Sequence, residues 1–245
     1  MTTFVLVHGA WHGGWSWQLV ARRLEAAGHR ALAPTLTGLG ERAHLSSPQI
    51  GLATHVEDVA AMLRCEDLCD VVLVGHSYAG LVITGVGAQQ PDRIARLVYY
   101  DAFVPEPGQS ALDLLPTHIG QHFVELAESD GDGWLIPQRP LEALGVRSAE
   151  ARAWLEPRLV PHPLATYSDK LWFDPAVRDL PAGYVSCTDW AAVFAPQAEK
   201  ARARGWPVRE IAADHEALAT APDLLVSALL EVAQADIPVT GKVQT

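Results

Sequence analysis

Cysteine is scarce in this chain: Cys65, Cys69 and Cys187 are the only three among 245 residues. Three thiols cannot all pair, and Cys65 and Cys69 have no second Cys/His pair at zinc-finger spacing. That pattern argues against both a disulfide framework and a structural metal site. Positive charge is scarce as well, with 18 Lys and Arg against 29 Asp and Glu and a net charge of -11. No Lys/Arg-rich run occurs, and nucleic acid is not an expected partner, because phosphate-backbone binding depends on clustered cations. Long apolar runs are missing too. Met1-Thr2-Thr3 leads straight into Phe4-Val5-Leu6-Val7 with no basic leader, so neither a signal peptide nor a membrane span is expected, and the cytoplasm is the expected location. There is no internal repeat. What remains is a chain 49% hydrophobic, enough for one large core in a single α/β domain carrying an insertion.

The most informative stretch is Val71 to Gly80, VVLVGHSYAG. Four apolar, mostly β-branched residues read as a short buried strand, and Gly75-His76-Ser77-Tyr78-Ala79 then breaks it. G-x-S-x followed by a small residue is the pattern of a nucleophile elbow, a serine on a strained strand-to-helix turn. Small residues are required at Gly75, Ala79 and Gly80 because the two backbones approach closely there. The strict form has glycine where Ala79 stands.

The N-terminal strand Phe4–Val7 is followed by the glycine-rich turn His8-Gly9-Ala10-Trp11-His12-Gly13-Gly14. Such a turn upstream of an elbow supplies one oxyanion N–H, and the residue after the serine supplies the other, which nominates Ala10 and Tyr78. Helical spacing runs over 15–27 up to Gly28, an extended piece over 30–34 follows, and Thr54-His55-Val56-Glu57 reads as a capping box opening a helix to Leu63. The helix behind the serine spans 78–89, and Arg96 to Phe103 is the next strand. From about 105 to 180 the β/α alternation stops, apart from a helix-like piece over 148–155. This suits a helical cap inserted into a core made of 1–104 and 181–237. Alternation resumes with a strand over 183–187, a helix near 196–203, a strand over 208–211 and a last helix over 222–232. A polar tail over 238–245 is expected to be frayed.

An activated serine needs a base, and an acid to orient the base. In elbow hydrolases the chain order is serine, acid, histidine. Among the histidines after Ser77, only His215 lies in a short loop between a late strand and a late helix, where it can reach the serine.

FVLVHGAWHGGWSW, TGLGERAHL, VVLVGHSYAG, LVYYDAFVP and DHEAL together resemble the α/β-hydrolase superfamily. The resemblance is to the small branch that holds plant methyl esterases, hydroxynitrile lyases and bacterial pyrethroid- or carbendazim-hydrolase-like esterases. It implies an α/β fold with a mostly parallel central sheet, helices on both faces and a helical cap inserted after the sixth strand. It also places the acid near Asp189, since Cys187-Thr188-Asp189 resembles a plant-esterase stretch, although one residue is missing and Trp190 disturbs the alignment. Asp101, flanked by apolar residues at the end of the strand beside the nucleophile strand, needs a partner and is the rival acid. Both stay open at this level.

The expected activity is hydrolysis of a carboxylic ester by Ser77 and His215 through an acyl-enzyme, with no metal and no organic cofactor. Trp11, His12, Phe103 and Trp134 are candidate substrate-binding residues and suggest an apolar or aromatic small-molecule ester. The expected partner is a small-molecule ester, with a homodimer as the one macromolecular association expected. Hydroxynitrile lyase relatives resemble one another in a lysine directly after the catalytic histidine, a position held here by Glu216, which argues against cyanide release. A cofactor-free lyase or cyclase and a small-molecule binding protein with incidental hydrolysis are the other readings.

Overall fold

The structure, a computed structural model, describes residues 1–190 and 193–235; the expected tail over 238–245 lies outside them. Eight strands are present among these residues: β1 (Thr3–Val7), β2 (Arg30–Leu32), β3 (Val71–His76), β4 (Ile94–Tyr100), β5 (Leu135–Ile136), β6 (His162–Pro163), β7 (Ala182–Cys187) and β8 (Val208–Ile211). Six of them form one sheet in the order β2-β1-β3-β4-β7-β8, and every neighbouring pair is parallel. β5 and β6 make a small antiparallel pair of their own. The helices are α1 (Gln18–Ala26), α2 (Leu52–Cys65), α3 (Ala79–Gln89), α4 (Ala111–Leu114), α5 (Thr117–Asp130), α6 (Ala149–Leu155), α7 (Ala165–Ser168), α8 (Ala195–Ala203), α9 (Ala217–Thr220) and α10 (Pro222–Gln234).

Side chains alternate across a strand, and here the alternation divides the core in two. Val5, Val7, Val71 and Leu73 face one layer, where α2 and α3 bring Val59, Leu63 and Ile83. Phe4, Leu6, Val72 and Val74 face the other, where α1 and α10 bring Val20, Leu24, Leu225 and Leu229. A parallel sheet covered on both faces requires near-continuous apolar strands, which is why VVLV carries no polar residue.

The segment between β4 and β7 holds α4 to α7 and the β5–β6 pair. It follows the fourth strand of the chain rather than the sixth, because the whole sheet has six strands and two of them come after the insertion. Phe123, Ile136, Leu144 and Leu155 of this segment share one core cluster with Trp11, Tyr78 and Phe103. Its contacts also correct the reading of α2. The helix starts at Leu52, ahead of the Thr54–Glu57 box, and its N-cap Gly51 offers no side chain. The Leu52 N–H donates instead to Asp169 Oδ2 at 2.9 Å, so a carboxylate from a distant element does the capping that a local box usually does.

Strand and helix meet closely around Ser77. A Cβ on Gly75 would lie 2.7 Å from the Ala79 carbonyl oxygen, and one on Gly80 would lie 2.0 Å from that of Phe103. Both obstacles are backbone, so relief requires movement of the turn itself. Gly80→Ala is expected to cost about 1–3 kcal/mol, the usual range for forcing extra volume into packed structure. An unchanged urea-unfolding midpoint would show that the turn has slack.

Candidate active site

Ser77 sits between β3 and α3 with φ 56°, a left-handed conformation that costs a non-glycine residue about 1–3 kcal/mol unless its surroundings hold it. Three backbone bonds do so. Ser77 N–H donates to Tyr100 O at 3.1 Å, and Ser77 O accepts from Gly80 N–H and Phe103 N–H, each at 3.2 Å.

β4 ends at Tyr100, short of the expected Phe103, because Asp101 turns the chain with φ 40°. The Asp101 N–H donates to Val185 O at 2.8 Å, which fixes the carboxylate below the mouth of the sheet. There, 1% exposed, it accepts from His215 Nδ1 at 2.6 Å and from Cys187 N–H at 3.3 Å. Burial raises the Asp101 carboxyl above its ordinary range, and the His215 contact and the Cys187 N–H oppose that rise. Asp189 is placed otherwise. It is exposed, its N–H donates to Ala213 O, and its carboxylate accepts from the neighbouring Thr188 hydroxyl at 3.4 Å. The loop after β7 turns it outward, so the contact with His215 belongs to Asp101.

With Nδ1–H donated to Asp101, the remaining nitrogen of His215 is Nε2, and Ser77 and His215 line the same cleft. Phe194 stacks on the imidazole at 5.0 Å and 7°, and Trp190 lies 4.8 Å from it. The His215 carbonyl accepts from Tyr100 Oη–H at 2.9 Å and from His76 Nε2–H at 3.1 Å.

The glycine-rich turn is held just as tightly. Trp11, with φ 65°, donates its N–H to His162 Nδ1 at 3.3 Å and its indole N–H to Ile136 O at 3.0 Å, and it accepts from Val160 N–H at 3.0 Å. The N–H groups of Ala10 and Tyr78 meet no acceptor among the described residues, and the turn and the elbow carry them. Among the aromatic residues expected to bind substrate, Trp11 and Phe103 line the cleft. His12 does not: it is buried behind the turn, with Nδ1–H donating to Ala10 O at 2.6 Å. Trp134 is also outside the lining, tied by its backbone to Gly131 and Leu164.

His12 Nε2 lies 3.2 Å from Glu216 Oε2 with both side chains buried. The ring N–H is not aligned for a hydrogen bond, so the contact is an ion pair held by proximity. Burial opposes the charge on each partner, yet their mutual attraction prevails: His12 is raised above 6.5 and Glu216 is lowered to about 2.

Six of the ten histidines are buried, and the spacing arguments passed over three of them. His8 Nδ1–H donates to Gly9 O and its Nε2 accepts from Leu36 N–H. His55 Nε2–H donates to Thr37 O, and its Nδ1 accepts from the Tyr78 hydroxyl at 3.0 Å. His162 Nε2–H donates to Thr166 Oγ1 at 2.8 Å. Burial holds all three neutral, with His8 near 3, His55 near 4 and His162 well below 6.5; His76, also buried, is likewise well below. Among the described residues, the ligand atoms of His76, His215 and Glu216 lie within 4.8 Å of one another. A cation on that triple would occupy a nitrogen of His215, so metal binding there and a serine–histidine reaction exclude each other.

The profile of the Alpha/beta hydrolase family matches residues 4–228. The chain belongs to that family. It is 48% identical over 174 residues to the carbendazim hydrolyzing esterase of Nocardioides sp. (strain SG-4G), covering 68% of this chain and 72% of that protein. It is 34% identical over 134 residues to Methylesterase 2 of Arabidopsis thaliana, covering 54% and 48% respectively. An extracellular alpha/beta-hydrolase from a Paenibacillus species superposes with a TM-score of 0.83 at 25% identity, over 96% of this chain and all of that one. Among these esterases the chain is a carboxylic ester hydrolase.

The neutral histidines give the site an acid limit. An unfolded histidine takes up a proton near 6.5, whereas His8, His55, His76 and His162 refuse it when folded. Stability is therefore lost as pH falls from about 6.5 toward 4, by up to about 1.4 kcal/mol per pH unit for each residue. Glu216 adds stability that is lost as pH falls from its unfolded value toward 2. His12, raised when folded, contributes fully below 6.5 and loses its contribution as pH rises through its folded value. Urea unfolding should show a steep fall in stability between pH 7 and pH 5, and His55→Asn should shrink that fall by about 2 kcal/mol. An equal pH dependence in the variant would mean that His55 is not held neutral.

Proposed function

We propose that the chain hydrolyses small apolar or aromatic carboxylic esters with Ser77 as nucleophile, His215 as general base and acid, and Asp101 as the orienting carboxylate. The observation that carries this reading is the 2.6 Å contact from His215 Nδ1 to Asp101 Oδ2, in a cleft that His215 shares with the strained Ser77. His215 Nε2 takes the Ser77 hydroxyl proton as Oγ attacks the ester carbonyl. The N–H groups of Ala10 and Tyr78 receive the charge that develops on the carbonyl oxygen. The tetrahedral adduct expels the alcohol, protonated by His215, and leaves an acyl-Ser77. Water activated by His215 then releases the acid and restores the serine. Asp101 keeps the ring in the productive tautomer and stabilises the imidazolium in both halves.

No organic cofactor enters these steps. The cleft leaves about 30 Å³ of free space, room for about two waters. Substrate entry therefore requires side chains of the 105–180 segment to move, which gives that segment the role of a cap. The position after His215 supports hydrolysis over cyanide release: Glu216 is anionic and committed to His12. No helix among the described residues is long and apolar enough to cross a membrane.

Replacing Ser77 with Ala should abolish turnover of an aryl ester and the acyl-enzyme burst. Asp101→Asn should lower kcat by about four orders of magnitude, the loss seen when an orienting acid fails to fix the tautomer, with the fold retained. Asp189→Asn should remain within about tenfold, roughly 1.4 kcal/mol, of the parent. Steady-state kinetics of the three variants read the ranking, and the reverse order for the two aspartates would refute the assignment. Tight ligand binding with no burst would instead support a binding protein.

A further inference from the structure

The cleft that Ser77 and His215 share is walled by flat apolar groups, among them Trp11, Phe103, Phe123 and Phe194, and among the described residues Arg139 is the single permanently charged side chain on it. Arg139 is partly buried and rests over the Phe123 ring at 5.6 Å. No carboxylate reaches its guanidinium among the described residues, whereas Glu106 alone meets Arg178, Lys200 and Arg204. Tyr167 lines the same cleft. Tyr167 stacks on Tyr78 at 5.3 Å and meets Phe123 edge-on at 5.7 Å. Its hydroxyl also lacks a hydrogen-bond partner among the described residues and opens to the same cleft. Burial pushes that phenol up and keeps it protonated, hence a donor.

An anion on the substrate is what this pair lacks. A guanidinium drawn partly out of water, with no acidic neighbour, is electrostatically incomplete. A neutral carbonyl satisfies one of its N–H groups, whereas a planar carboxylate accepts two in the same plane and leaves a lone pair for the phenol. Taking the ester-hydrolase reading as its base, we propose that Arg139 and Tyr167 form an anion-recognising end of the cleft. The preferred substrates are then esters that carry a free carboxylate, held with the scissile carbonyl over Ser77.

The test compares para-nitrophenyl half-esters of succinic, adipic and suberic acid with the para-nitrophenyl esters of butyric, hexanoic and octanoic acid. In the parent, at least one half-ester should exceed its neutral counterpart about tenfold in kcat/KM through a lower KM. Arg139→Leu should cut that ratio by about 10- to 100-fold, the size of a lost charge-assisted bond pair. Arg139→Lys should restore part of it, and Tyr167→Phe should lose less than Arg139→Leu. A parent that prefers every neutral ester, or a ratio untouched by Arg139→Leu, overturns the proposal while the hydrolase reading stands on the neutral substrates. If no ester is turned over, that reading falls, and calorimetric titration of monomethyl adipate into the Ser77→Ala protein decides the anion site separately. Binding weakened tenfold or more by adding Arg139→Leu supports it, and no binding or unchanged binding refutes it. A variant that fails to fold by circular dichroism is replaced by Arg139→Gln in both assays.

Discussion

A buried carboxylate against a buried imidazole is the constraint on which the rest of the site depends. Asp101, at 1% exposure, has left water, which is tolerable only with hydrogen-bond donors in place. His215 Nδ1–H and the Cys187 N–H are those donors. Meeting that need sets the turn at the end of β4, the position of the β7 terminus and the direction of the late loop. The serine is then reached from the side of the ring that Asp101 does not use. His215 is also pinned through its own carbonyl by Tyr100 and His76, so backbone and ring are both fixed.

A second polar layer lies behind the first. His12 holds the Ala10 carbonyl and pairs with Glu216, the residue directly after His215. One buried ion pair thus ties the glycine-rich turn that carries Ala10 to the loop that carries His215. Removing one partner of such a pair leaves an uncompensated buried charge, so the two segments are held in one arrangement. His162 and Ile136, from the segment inserted between β4 and β7, hold Trp11 in turn. That segment therefore holds the glycine-rich turn and also lines the cleft, through Phe123, Arg139 and Tyr167.

The elbow was legible in the chain because its constraints are local: four apolar residues, then small residues where backbone crowds backbone. Chain order singled out His215, and the structure sets that histidine against Asp101. Which carboxylate meets His215 was not legible, because Asp101 and Asp189 are both aspartates at strand ends and the choice rests on how two loops turn in space. Asp101 turns inward at φ 40°, a conformation no spacing argument anticipates. The neutral histidines were passed over for a related reason. His55 bonds a carbonyl 18 residues away, and Trp11 and His162 are 151 apart, so nothing near either ring in sequence marks it as buried. The start of α2 is hidden for the same reason, its cap being Asp169 from a distant element. Apart from α5 the helices of the segment from 105 to 180 are short, and they pack on one another and on α2 and α9, so periodicity could not place Arg139 or Tyr167 on the cleft that Ser77 lines.

The central claim is that Asp101 holds the proton on Nδ1 of His215. The most direct measurement is nitrogen-15 NMR of the imidazoles near neutral pH, with the His215 signals assigned by their loss in His215→Gln. The account predicts a protonated Nδ1 and an unprotonated Nε2 for His215, with a low-field Nδ1 proton that survives in Asp189→Asn and disappears or moves upfield in Asp101→Asn. A low-field proton retained in Asp101→Asn and lost in Asp189→Asn would contradict it.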